Sequence, residues 1–119
     1  MTPPPDPIRD LLPLPPVTFH ILLAVSGEDR HGYGIIQDVE ARTGGALRLG
    51  AGTLYRSIAR MVEQGLLAET SERRALDDDQ RRRYYRITPF GRAVARAEMG
   101  RLTDLVRLAK ASGLSPETA

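Results

Sequence analysis

Glycine punctuates the first half of this chain: Gly27, Gly44, Gly45, Gly50 and Gly65 each stand where an apolar pattern stops. Glycine loosens the backbone and readily takes the left-handed conformation that closes a helix, so the segments between these points have room for no more than roughly four helical turns. Residues 17–26 carry Phe19, Ile21, Leu22, Leu23 and Val25, a helix apolar nearly all round and therefore buried on more than one side. Residues 33–42 place Ile35, Ile36 and Val39 on one stripe, with Gln37, Asp38 and Glu40 outward, and Thr43-Gly44-Gly45 ends that helix. A connector through Gly50 and Gly52 leads into a third helix over 53–64, which Gly65 stops.

Beyond Gly65 the period changes. Residues 66–70 (Leu-Leu-Ala-Glu-Thr) and 83–88 (Arg-Tyr-Tyr-Arg-Ile-Thr) read as two short strands, and the charged stretch between them is too polar for a core. Thr88-Pro89 opens a last helix, with threonine as cap and proline in the first turn, and Ser112-Gly113 ends it after residue 111. Three helices, a two-stranded hairpin and a long helix make a mainly α chain with a small β wing. That is the order of a winged helix-turn-helix with a long C-terminal dimerisation helix. Four regions follow: a flexible proline-rich arm over 1–16, holding seven prolines, the winged helix-turn-helix over 17–88, the dimerisation helix over 89–111 and a flexible tail over 112–119.

The formal net charge of +2 decides little, but from Arg48 to Arg96 eleven arginines stand against six acids, a local surplus of five. A basic middle is the footprint of a polyanion-binding face, with a solvated charged surface as the bland alternative. At about 100° per residue, Leu54, Ile58, Met61 and Val62 share the apolar arc of the third helix, while Thr53, Arg56, Ser57, Arg60 and Gln64 share the opposite one. Arginine matches the edge of guanine and glutamine that of adenine, so this face reads as a major-groove reader or, alternatively, as an ordinary wet face. Tyr55 lies near the edge of the apolar arc, where it packs as well as contacting the DNA backbone. Arg82, Arg83 and Arg86, on the return of the hairpin, suit phosphates or a minor groove. Asp77-Asp78-Asp79, among the wing arginines Arg73, Arg74 and Arg81, has no histidine or further acid pattern to complete a metal site and is read as pairing with its neighbours. Gly50-Ala51-Gly52-Thr53 lacks the following lysine and preceding strand of a nucleotide loop, but its helix-start amides suit a DNA phosphate.

On the last helix Phe90, Ala93, Val94 and Ala97 share one side, whereas Met99, Leu102, Val106 and Ala109 cluster about 130° away and Leu105 and Leu108 continue nearer the first stripe. A small domain can cover the first stripe; the second needs a partner chain, or else the first helix of the same chain. The dimer interface is accordingly placed on Phe19, Leu22 and Leu23 with Met99, Leu102, Leu105, Val106 and Ala109. Of the two histidines, His20 reads as a packed or interface residue and His31 as a cap opening the second helix. No nucleophile elbow, paired metal spacing or cofactor fingerprint occurs, so neither an enzyme nor a cofactor is expected. The chain has no cysteine, no apolar run near the roughly 18 residues of a membrane span, and no signal-like start, which together suggest a cytoplasmic protein.

These pieces together resemble the PadR family of bacterial transcriptional regulators. The resemblance lies in His31-Gly32-Tyr33-Gly34 opening the second helix, Thr43-Gly44-Gly45 closing it, and Gly52-Thr53-Leu54-Tyr55 at the recognition helix. It continues in Gly65-Leu66-Leu67 entering the wing and Tyr84-Tyr85-Arg86-Ile87-Thr88 with Gly91 leaving it, and spans residues 17–111. It implies a homodimeric repressor at the nucleoid, whose recognition helices enter successive major grooves of an inverted repeat in double-stranded DNA. It also implies that the first and last helices build the dimer, that Thr53, Tyr55 and Arg56 lie at the DNA surface, and that Leu54 is structural. The single C-terminal helix matches the shorter branch of the family. A small-molecule effector held between subunits is a family trait, and no residue here specifies one. The Asp77–Asp79 run departs from the usual glycine-rich and basic wing. The alternative from another class is a winged helix used only for protein contact, which would expose large apolar anchors in place of Arg56 and Arg60.

Overall fold

The computed structural model describes residues 4–70 and 82–116. It holds four α-helices, α1 (Pro16–Ala24), α2 (Gly32–Arg42), α3 (Ala51–Glu63) and α4 (Pro89–Ala111), with three short strands, β1 (Arg30–His31), β2 (Leu67–Thr70) and β3 (Tyr84–Ile87). The strands form one antiparallel sheet in the order β1-β3-β2. This is the winged helix-turn-helix arrangement, three helices and a small sheet followed by one long helix.

Local chemistry sets most of the boundaries. Pro16 starts α1, where a missing amide proton costs nothing. The His31 side chain caps α2, its Nδ1 accepting from Gly34 N–H at 3.0 Å, and Gly44 and Gly45 close the helix at φ +60° and +84°. Thr88 caps α4: its hydroxyl accepts from Gly91 N–H at 2.8 Å and in turn donates to the backbone oxygens of Gly65 and Leu66. Gly91 itself lies against the backbone of Leu66, where a Cβ would stand 3.0 Å from the carbonyl carbon and closer to its oxygen. A side chain there would drive α4 off the start of β2.

One continuous core collects Ile21, Leu22 and Val25 from α1, Ile35 and Val39 from α2, and Leu54, Ile58 and Met61 from α3, with Leu66, Leu67, Tyr85, Ile87 and Val94. Because α1 is apolar on every side, its inward face was not readable from its own pattern. Leu22, expected at the dimer interface, is wholly buried in its own chain beside Thr18, Ile21 and Val25, and that assignment is corrected. Phe19 and Leu23 remain half-buried on the outer flank. Val62, placed on the apolar arc of α3, is 41% exposed where the chain is about to turn away at Gly65.

Two further features depart from the expected picture. β1 has only two residues and no strand pattern of its own; Arg30 and His31 are recruited by β3, opposite Tyr85 and Tyr84. The described part of the proline-rich segment, residues 4–16, expected as a flexible arm, packs against the domain. Asp6 Oδ1 accepts from the Ile8 and Arg9 amides, a short 3-10 turn follows over Arg9–Leu11, and Leu14 is buried with its N–H donating to Glu98 Oε2 at 2.9 Å. Apolar Ile8, Leu11, Leu12 and Leu14 between the prolines supply the surface that holds it down. Among the described residues no helix is long and apolar enough to cross a membrane.

Candidate nucleic-acid interface

The site is built on the outer face of α3. Leu54, Ile58 and Met61 anchor the helix inward, which turns Thr53, Arg56, Arg60 and Gln64 to the exterior, with Ser57 half-buried at the margin. The Arg56 guanidinium leans toward the Thr53 hydroxyl at 3.5 Å. That face offers two guanidinia, two hydroxyls and an amide, the donors and acceptors that base edges require. Its geometry matches the separation of faces expected from the sequence, apart from Val62.

Tyr55 occupies the flank of α3 nearest the sheet and is 51% exposed. Its ring reaches the first turn of α2 at Gly32. Between α2, α3 and β3 lies a cleft of about 420 Å³ lined by His31, Tyr33, Tyr55, Tyr85, Arg82 and Arg83. Burial, reinforced by the Glu69 carboxylate, raises the Tyr85 phenol above its usual range, so it stays a neutral hydroxyl. Arg82 and Arg83 are exposed at the root of the wing. Arg83 sits 3.8 Å from Glu69, and Arg82 Nη1 lies 3.3 Å from His31 Nε2.

Arg86 is different. Its guanidinium grips the Asp29 carboxylate with Nε at 3.2 Å and Nη2 at 2.9 Å, tying β3 to the loop after α1. A forked pair of this kind orients the guanidinium, and the Arg86 side chain keeps 43% exposure at the surface. Its position in a basic strand was visible in the sequence; the acid it meets, far back along the chain, was not. Tyr33, 61% exposed at the opening of α2, is a cleft residue that the sequence reading left out of the site, although the His31-Gly32-Tyr33-Gly34 run marked the place. The wing arginines Arg73, Arg74 and Arg81 and the Asp77–Asp79 run fall outside the described residues.

A second surface lies on the α1/α4 flank. Phe19, Met99, Leu102, Thr103 and Val106 line an apolar groove of about 280 Å³. Met99, Leu105, Val106 and Leu108 are each more than half exposed, and Leu23 and Ala109 are half-buried nearby. The first helix of the same chain therefore leaves the second apolar stripe of α4 largely uncovered. Among the described residues no group of histidines and acids is arranged to hold a metal ion.

Comparison with known proteins agrees with this architecture. The family described as "Transcriptional regulator PadR-like family" matches residues 21–97. A curated relative, transcriptional regulator Rv3488 of Mycobacterium tuberculosis, is 37% identical over 91 residues, covering 76% of this chain and 79% of the relative. Among solved structures, a transcriptional regulator from Clostridium thermocellum superposes with a TM-score of 0.68 at 24% identity, over 92% of this chain and 96% of its own. A PadR family transcription regulator from hypervirulent Clostridium difficile gives 0.65 at 20% identity, over 79% and 94%.

Proposed function

Because the chain belongs to the PadR-like family of transcriptional regulators, and so is a regulator and not an enzyme, we propose that it acts as a homodimeric repressor on an inverted repeat in double-stranded DNA. In this reading α3 enters the major groove and presents Thr53, Arg56, Ser57, Arg60 and Gln64 to base edges and adjoining phosphates. Arg82, Arg83 and Arg86 contact the backbone beside it. The observation that carries the reading is the polar, arginine-bearing face of α3, turned outward by a fully buried apolar stripe and flanked by two exposed arginines at the wing root. A helix that docked protein would show large apolar anchors there; this one shows Tyr55 and the marginal Val62.

The exposed groove on α1 and α4 supports pairing with a second copy through Phe19, Leu23, Met99, Leu102, Leu105, Val106 and Ala109. Two-fold symmetry would then set the recognition helices on half-sites about one helical turn apart. The setting is the bacterial cytoplasm, at the nucleoid, and release by a small-molecule effector is part of the same reading. Arg60→Ala tests the readout. Operator affinity should fall by about 1–3 kcal/mol, the worth of one good arginine–base contact, with the melting temperature held. A large loss of melting temperature would make Arg60 structural, and unchanged affinity would remove α3 from the DNA.

A further inference from the structure

The geometry points to Tyr55 as a positioning residue: its ring braces α3 against the bare backbone of Gly32 at the start of α2 and thereby sets the aim of the Arg56/Arg60 face. The inference rests on the DNA-binding reading above.

Gly32 is buried and holds a helical position with no positive φ, so its backbone does not call for glycine. Space does. A Cβ on Gly32 would stand 2.8 Å from Tyr55 Cζ and 3.1 Å from Cε1, and closer still to the hydroxyl. By contrast, a Cβ on Gly50, at the cap of α3, would meet nothing within 4 Å. The glycine at the mouth of α2 is therefore shaped to the tyrosine of α3.

The core contacts of α3 run along one stripe, Leu54, Ile58 and Met61. A stripe fixes how deeply a helix sits but resists rolling about the helix axis only weakly. Tyr55 is the next residue after Leu54, about 100° round the helix, and its contact with Gly32 lies off that stripe on the outward side. Rolling α3 would swing Arg56 and Arg60 relative to Arg82 and Arg83, which are fixed to β3. Since half of the tyrosine is exposed, its loss should change aim more than stability. The competing role is a direct hydroxyl contact to a phosphate.

The test uses the full chain, the duplex enriched from a random pool and a random duplex, all at one salt concentration. Gly32→Ala and Tyr55→Ala should each lower the preference for the selected duplex by on the order of tenfold, within the range of one lost base contact, and Gly32→Ala, which leaves the tyrosine in place, should keep its random-duplex affinity. Tyr55→Phe, which keeps the ring, should restore most of that preference. The double variant should be no worse than Tyr55→Ala alone, because the added methyl has lost what it collides with. Affinity lost equally for both duplexes, and to the same extent in Tyr55→Phe as in Tyr55→Ala, would assign the tyrosine to a hydroxyl contact with phosphate and overturn the brace. So would wild-type preference in Gly32→Ala. If Gly32→Ala unfolds, the Phe and Ala variants decide the question alone. A wild type that prefers no sequence would overturn the DNA reading itself, and the brace with it.

Discussion

Glu98 is 2% exposed, yet its carboxylate is fully bonded: Leu14 N–H donates to Oε2 and the Arg101 guanidinium grips both oxygens. The Arg101 hydrogen bond, aided by the Leu14 amide and opposed by burial, holds this carboxyl below the usual carboxylate range. A folded-state value below the unfolded one gives stability that is complete above the unfolded value and is lost as pH falls through the folded one. The melting-temperature gap between wild type and Glu98→Gln should thus be widest near neutral pH and close as the solution is acidified past the carboxylate range. A gap that persists unchanged into acid would show that the charge contributes nothing. Glu98→Ala, which strands the buried Leu14 amide, should cost about 1–3 kcal/mol at neutral pH. In the sequence, Glu98 resembles any other helix charge. Its spacing from Gly91 and Val94 puts it on the buried stripe, but the amide that satisfies it belongs to a proline segment read as detached. The caps at His31 and Thr88 were readable because each closes on an amide three residues away. The Arg86–Asp29 pair was hidden for the opposite reason, since Asp29 reaches Arg86 only through the folded sheet.

Elements defined by their own pattern emerge where the sequence places them. α4 begins at Pro89 and ends at Ala111 as read, and α2 and α3 shift by one or two residues at their ends. β1 escaped because two residues carry no period and pair only with a distant strand. The pattern of α1 announced burial without direction, so Leu22 could be taken for an interface residue. The two stripes of α4 were visible, and the structure sharpens what they imply. Val94 and Glu98 face the domain, whereas Met99 and Val106 stand exposed beside Phe19. Such an apolar flank is costly in water and favours association. Leu102→Glu places a charge in the groove and should shift the species to monomer by sedimentation or light scattering, with helical content kept. A dimer mass that does not change would move the interface elsewhere.

For the molecule as a whole, one core serves two surfaces. The same packing that buries Leu54, Ile58 and Met61 turns the arginine face of α3 outward, and the helix that continues from the wing carries the apolar flank. The proposed dimeric repressor would need both, because a single half-site offers too few base contacts to stand out from random DNA, and symmetry doubles them. The modest net charge of +2 fits this division, with the surplus of arginine concentrated between residues 48 and 96. The measurement that bears most directly on this account is selection from a random-sequence duplex pool, followed by titration of the enriched duplex at several salt concentrations. A dimeric repressor should select an inverted repeat with half-sites about one helical turn apart, and its affinity should fall steeply and linearly on a logarithmic salt scale as phosphate contacts release counterions. No enriched sequence, together with weak binding that ignores salt, would contradict it.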